Sequence, residues 1–346
     1  MKKILIFTDT YDWQINGVTR CLDNLKDNIS PDVALTVVSS DDFVSIPFLG
    51  YKEIRLSLAF PRRILNMIRE IQPDSIHIMT EWPIGLTVAY ICHRYHMPYT
   101  TTFHTKFPEY LHMMNRLVKE KYVHQYLHYI HDGAENIFIS NTGLGEYLTR
   151  NGYERHTLVP FGINHTIFYL GQRSLFLDIT PPILLYVGRI AIEKNMADYL
   201  DMDTKYQKIV VGDGPLLEKY KKEYTDIIFL GSKGALELGE IYRSVDAFVF
   251  PSLTDTLGLV NLEAMACGLP IIAYDLENTR SIIENGVTGI LVPEWQKLET
   301  AIPRIQEIDP EACASSVRDA TWQNYATQFA SYQFPISKAL WTSKNT

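Results

Sequence analysis

The chain has 346 residues, 46% of them hydrophobic and 21% charged, with 32 Lys plus Arg against 40 Asp plus Glu and a formal net charge of −8 at pH 7. That length predicts two domains with ordinary cores, and an acidic balance with no basic stripe argues against a nucleic-acid binder. No apolar run approaches the roughly 18 to 20 residues that span a bilayer, and Met1–Phe7 is too short for a signal-peptide core, so a soluble globular chain is expected.

Apolar strand-like runs at residues 4–8, 34–39, 75–79, 99–103, 137–140 and 157–160 alternate with helical stretches, the texture of βα units on a parallel sheet. After the first run comes Thr8-Asp-Thr-Tyr-Asp-Trp-Gln-Ile-Asn-Gly-Val-Thr-Arg20, where Gly17 allows the loop to approach a ligand and Asn16 suits a turn. Pro61–Arg69 reads as an amphipathic helix with Arg62, Arg63 and Arg69 beside apolar residues, suited either to an ordinary surface or to an anionic lipid surface. Ile76-His-Ile-Met-Thr-Glu-Trp-Pro-Ile-Gly85 places Glu81 after a strand, where a carboxylate can cap the next helix. His104 follows the run at 99–103. His124, His128 and His131 share a helical face, but interleaved tyrosines and the lack of a carboxylate at ligand spacing argue against a metal. All ten histidines lie between His77 and His165, so moderate acidification is expected to make the near-neutral first half positive. Cys21, Cys92, Cys267 and Cys313 show no paired or metal-type spacing, so a reducing cytoplasm is expected.

A linker at roughly 169–182 precedes a second series of runs at 183–187, 208–211, 227–230, 247–250, 271–274 and 289–292. Two doubly wound domains follow, and ligands of such sheets bind at the carboxyl ends of the strands, which for a pair of domains means the cleft between them. Val187-Gly-Arg-Ile-Ala-Ile-Glu-Lys-Asn195 sets Arg189 and Lys194 in one turn, a planar fork and a mobile point charge suited to a diphosphate. Asp201-Met-Asp203 imitates a metal-binding Asp-x-Asp but follows a helix and reads as a helix end. In Ile209-Val-Val-Gly-Asp-Gly-Pro215 the third glycine of a dinucleotide fingerprint is missing, so Gly212 and Gly214 read as structural. Phe250-Pro-Ser-Leu-Thr-Asp-Thr-Leu-Gly-Leu-Val-Asn-Leu-Glu-Ala-Met-Ala-Cys-Gly-Leu-Pro270 runs from strand to turn to helix and carries Asp255 and Glu263 eight positions apart. The amides of Leu257, Gly258 and Leu259 lie at the start of that helix, where unpaired donors favour a phosphate or a sugar hydroxyl.

The Asp255–Glu263 segment, the Gly-Arg-x-x-x-x-Lys-Asn loop, Phe103-His-Thr-Lys-Phe-Pro-Glu-Tyr110 and Asn16-Gly-Val18 together resemble family 4 of the retaining glycosyltransferases, in the subgroup of bacterial α-mannosyltransferases and glycolipid-forming enzymes. The resemblance implies a GT-B fold, two Rossmann-like α/β domains facing a central cleft: an acceptor-side domain at 1–170, a nucleotide-sugar domain at 171–320 and a C-terminal helix at 321–346 returning to the first. It implies transfer of a hexosyl group from GDP-mannose or a UDP-hexose to a lipid, lipid-linked or saccharide acceptor in glycolipid or cell-envelope synthesis, without metal or other cofactor. Arg189 and Lys194 would hold the diphosphate, Glu263 the ribose, Asp255 with the 257–259 amides the sugar, and Gly231 and Ser232 the base, whether uracil or guanine. His104 would hydrogen-bond the donor sugar, Gly17 would lie near its phosphates, and Asn16 and Glu81, unless they serve only as turn former and helix cap, would lie on the acceptor side. Relatives commonly carry Arg-Gly-Val-Asp where this chain has Phe161-Gly-Ile-Asn164, so a basic and an acidic residue are absent together. A GT-B epimerase or phosphorylase, or a non-catalytic sugar-nucleotide module, remain the alternatives, separable by product analysis and turnover.

Overall fold

Short runs of β-branched and aromatic residues that are apolar on both faces form strands only when both faces are covered, as a parallel sheet between helices provides. The computed structural model describes residues 1–10, 17–48, 51–104, 106–114, 118–203 and 205–342. By internal contacts it divides into one unit of residues 1–140, 145–161 and 322–346, and a second of residues 141–144 and 162–321.

In the first unit the strands are β1 (Lys2–Phe7), β2 (Val33–Val38), β3 (Ser45–Phe48), β4 (Tyr51–Ser57), β5 (Ser75–Ile78), β6 (Thr100–Thr102), β7 (Asn136–Ile139) and β8 (His156–Leu158). Six of them form a sheet in the order β2-β1-β5-β6-β7-β8, parallel at every pairing. Leu5, Phe7, Ile76 and Ile78 pack with Ile64 and Ile68 of helix Pro61–Ile71 and with Val88 and Ile91 of helix Pro83–Tyr95. β3 and β4 form a separate antiparallel ribbon, which the sequence reading did not include. Helix Trp322–Ser331 belongs to this unit, where the Cys21 thiol meets the Tyr325 hydroxyl at 2.9 Å.

The second unit holds β9 (Leu184–Val187), β10 (Lys208–Val211), β11 (Ile228–Phe229), β12 (Ala247–Phe250), β13 (Ile271–Tyr274) and β14 (Gly289–Val292) in the order β11-β10-β9-β12-β13-β14, again all parallel. Its strand order reverses direction between β9 and β12, the switch point where such sheets bind ligands. All four cysteines are buried, and burial raises each thiol. Among the described residues no helix is long and apolar enough to cross a membrane.

Candidate active site

In the second unit, β9 runs out into Gly188-Arg189-Ile190-Ala191 and a tight turn at Ile192–Lys194. Across the switch point, β12 ends at Phe250 and leads through Pro251–Gly258 into helix Leu259–Ala266. The two loops meet where Lys194 Nζ pairs with Asp255 Oδ1 at 2.5 Å, each side chain about a quarter exposed at 24% and 23%. The Asp255 loop is braced from three sides: its N–H donates to Ser252 Oγ at 3.3 Å, Asn278 donates to its carbonyl, and Asn141 Nδ2 donates to the Thr256 carbonyl at 2.8 Å. Arg189 sits half-buried on the same loop as Lys194, its carbonyl accepting from the Tyr186 hydroxyl at 2.9 Å.

Gly258 caps the helix at φ 68°, and a Cβ there would stand 2.8 Å from the Phe250 ring, so only glycine makes this corner without backbone strain and a shift of that ring. Asn261 of the first helical turn donates to the Leu257 carbonyl at 3.0 Å. Glu263, two residues further, is 4% exposed, with the Tyr242 hydroxyl 3.5 Å from its Oε2. Gly231 follows β11 and accepts from the Gly212 N–H at 2.9 Å, while Ser232 is exposed beside it. Gly212 and Gly214 lie against the backbone of the Arg189 loop, with their Cβ positions 1.9 Å from the Gly188 carbonyl oxygen and 2.4 Å from that of Ile190. The Asp201–Asp203 stretch ends the short helix Ala197–Leu200, and Tyr224 donates to Asp201 at 2.6 Å.

In the first unit, Gly17 is exposed at the start of helix Gly17–Asn28, and among the described residues none stands within 4 Å of where a Cβ would be; Asn16 lies outside the described residues. His104 follows β6, its Nε2 3.1 Å from Met79 Sδ and its ring stacked on Phe161 at 5.9 Å. Burial lowers its pKa to about 4 against a smaller opposing pull from Glu81, so at neutral pH the ring is an uncharged hydrogen-bonding group. Glu81 pairs with His131 Nε2 at 3.5 Å, and Tyr126 donates to its carbonyl. The other ring nitrogen of His131 meets Thr101 Oγ1 at 2.8 Å, while His128 pairs with Asp132 at 3.1 Å and stacks on Tyr153.

The carboxylate that does cap helix Pro83–Tyr95 is one the sequence reading passed over. Asp9, 2% exposed at the carboxyl end of β1, accepts from the Ile84 N–H at 3.0 Å and from the Thr80 hydroxyl at 3.1 Å. Its position directly after a buried strand was the available signal. Burial is the larger influence and raises its pKa to about 7, against the opposing pull of those donors. His77, fully buried between Thr100 Oγ1 and Thr102 Oγ1 at 2.8 and 2.9 Å, is held well below the ordinary histidine pKa by burial. His93, His124 and His156 are also lowered by burial, so fewer histidines charge on mild acidification than their number implies.

These groups work in opposite directions. His77 and His104 bind protons more readily when unfolded, so their contribution is complete above about pH 6.5 and declines as the pH falls toward their folded values. Asp9 binds its proton more readily when folded, so it adds stability as the pH falls through about 7. Asp9→Asn removes only the second effect. Its melting temperature is expected to drop more steeply than that of the unaltered chain between pH 7 and pH 5; parallel profiles by scanning calorimetry would show Asp9 to be uncoupled.

Two parallel six-stranded sheets, each with helices on its faces, define an α/β protein of the GT-B type. The profile of Glycosyltransferase Family 4 matches residues 21–166, and that of Glycosyl transferases group 1 matches residues 181–307. The alpha-monoglucosyldiacylglycerol synthase of Streptococcus pneumoniae is 26% identical over 94% of this chain and 83% of its own. The GDP-mannose-dependent alpha-mannosyltransferase of Corynebacterium glutamicum is 25% identical over 94% of this chain and 87% of its own. In structure, sucrose-phosphate synthase from Thermosynechococcus elongatus matches with a TM-score of 0.73 and 19% identity, covering 96% of this chain and 98% of that one. The chain belongs to glycosyltransferase family 4, and it is a glycosyltransferase with the GT-B fold.

Proposed function

We propose that this enzyme transfers a hexosyl group, with retention, from a nucleoside diphosphate sugar to a lipid, lipid-linked or saccharide acceptor in glycolipid or envelope synthesis. The observation that carries the reading is the meeting of Lys194 and Asp255 at the switch point of the second sheet. A cation and a carboxylate at that edge suit the two halves of one donor, a diphosphate and a hexose. In this reading Arg189 and Lys194 hold the diphosphate, Asp255 and the 257–259 amides hold the sugar, and Gly231 and Ser232 adjoin the base. Glu263 takes the ribose diol: a buried carboxyl needs hydrogen-bond donors, and a diol supplies two.

In the reaction the bond from the anomeric carbon to the diphosphate oxygen breaks, and a bond to the acceptor oxygen forms on the same face. The acceptor proton passes to the departing diphosphate, whose growing negative charge Arg189 and Lys194 stabilise. Neutral His104 hydrogen-bonds the donor sugar, Gly17 lies near its phosphates, and Asn16 and Glu81 serve the acceptor. The first unit, with the helix at 322–331, takes the acceptor side, and the second takes the donor. Of the two relatives named above, one is named for making monoglucosyldiacylglycerol and the other for its dependence on GDP-mannose, which supports a lipid among the acceptors and GDP-mannose, beside a UDP-hexose, as the proposed donor.

Thermal stabilisation by GDP-, UDP- and ADP-sugars tests this directly. At a ligand concentration of 100 Kd the gain is about 2.7 kcal/mol. One nucleotide series is expected to stabilise the protein and Glu263→Ala to abolish the effect; no response to any series overturns the reading.

A peripheral membrane location is part of the proposal, with one change to its basis. Ile64 and Ile68 of helix Pro61–Ile71 are fully buried, so the apolar side of that helix is occupied by the core. The exposed apolar residues lie just before it and on the ribbon beside it: Val44 at 68%, Ile46 at 56%, Leu58 at 44% and Phe60 at 65%. Leu58 and Val44 are joined by a backbone hydrogen bond of 2.8 Å, and the exposed Arg62 and Arg63 follow directly. Affinity for vesicles containing anionic lipid, followed by co-sedimentation, is expected to weaken about thirtyfold or more when both arginines become Glu, each cation near such a surface being worth about 1 kcal/mol. Equal sedimentation of both proteins would remove these residues from any membrane contact.

A further inference from the structure

Lys194 hangs from a loop whose shape is set by groups the proposed reaction does not use. Asn195, the next residue, adopts the left-handed region at φ 50°, between the Ile192–Lys194 turn and helix Ala197–Leu200. Its side-chain amide donates to Asp198 Oδ2 at 2.7 Å and to the Pro251 carbonyl at 3.1 Å. The Tyr274 hydroxyl, at the end of β13, donates to the same Asp198 oxygen at 2.5 Å. Thr254 Oγ1 donates to the Glu193 carbonyl at 3.3 Å. The Lys194 loop is thereby tied to the ends of β12 and β13, the strands that flank the Asp255 loop, and β9, β12 and β13 are neighbours in the sheet.

We propose that Asn195, Asp198 and Tyr274 form a positioning relay that sets Lys194 for the donor diphosphate, without any of the three touching it. The inference rests on the donor-site reading above. Lysine is a compact charge on a four-carbon stem, so where it delivers that charge depends on where its Cα is anchored. Misplacing such a group by about 1 Å can cost on the order of a hundredfold in rate. The ties are directional: Tyr274 holds Asp198, Asp198 orients the Asn195 amide, and Asn195 fixes both the backbone turn after Lys194 and its distance from Pro251. Asparagine suits the position twice over, since it tolerates positive φ and brings two amide donors. Burial and the Asp198 carboxylate push the Tyr274 phenol up, so it remains a donor at every working pH.

Two variants test the relay. Tyr274→Phe removes the hydroxyl and keeps the ring; Asn195→Gly keeps the left-handed turn and removes the amide. Affinities of GDP and UDP are measured by calorimetry for each variant beside those of GMP and UMP. For whichever base the unaltered enzyme binds, the diphosphate affinity is expected to fall about tenfold in both variants, the loss of a hydrogen bond to a charged group, while the monophosphate affinity changes less than twofold. A general weakening of the fold lowers both affinities together, and that result, or unchanged diphosphate binding in the two variants, overturns the relay. If Tyr274→Phe does not fold, Asn195→Gly decides alone, because its altered side chain is half-buried at the surface of the loop. If the unaltered enzyme binds neither GDP nor UDP, the donor-site reading fails first and the relay with it.

Discussion

Lys194→Ala is expected to reduce turnover of the donor sugar by about a hundred- to a thousandfold, the range found when one preorganised charge-stabilising donor is removed from an active site. Two effects act in the same direction. In the proposed reaction the departing diphosphate loses a cation where its charge accumulates, and Asp255 loses the 2.5 Å partner that holds its carboxylate in place. Lys194→Arg is not expected to restore activity fully, because a planar fork cannot reproduce a point charge on a flexible stem. Release of nucleoside diphosphate from the sugar donor, followed with and without an acceptor extract, reads this out. Activity within a fewfold of the unaltered enzyme would move the diphosphate site away from this loop.

The second large effect concerns stability. Gly212 has φ 141°, and a Cβ built there lies 1.9 Å from the carbonyl oxygen of Gly188. Gly212→Ala must therefore push apart the ends of β9 and β10 as well as adopt a backbone conformation that side chains resist, and about 3 kcal/mol or more is expected to be lost. For a unit of this size that is a fall of about 10 °C in melting temperature. The displacement acts on the loop bearing Arg189, so nucleotide-induced stabilisation should shrink as well. Gly231→Ala is the control, since a Cβ there has open space around it, and its cost is limited to the strain of φ 68°. Equal melting temperatures for the two variants would contradict the close packing of Gly212 on Gly188.

The inner strands of the two parallel sheets, such as β1, β9, β12 and β13, were legible in the chain because a parallel strand buried on both faces appears as a short, mostly apolar run bounded by turn residues. The runs at 208–211, 247–250, 271–274 and 289–292 coincide with β10, β12, β13 and β14. The β3–β4 ribbon was not legible, since Ser45–Phe48 and Tyr51–Ser57 have neither an unbroken apolar run nor regular alternation. The helix at Leu259–Ala266 and its Gly258 corner were readable because local chemistry, a permissive glycine before helix formers, specifies them without help from distant residues.

What the sequence determined by itself was local: two series of βα units, the acidic segment 250–270, the cation pair Arg189 and Lys194, and the family these motifs resemble. Only the tertiary structure decided which of those groups meet. Lys194 and Asp255 lie 61 positions apart and pair because β9 and β12 are adjacent at the switch point, a choice of strand order that no local pattern contains. Asp9 rather than Glu81 caps helix Pro83–Tyr95 for the same reason, β1 and β5 being neighbours although more than sixty residues separate them in sequence. Tyr274 reads as one more apolar strand residue until the sheet brings its hydroxyl to Asp198. Charge, hydrogen bonding and burial act over a few ångströms, so long-range pairings become readable only when the order of the strands is known.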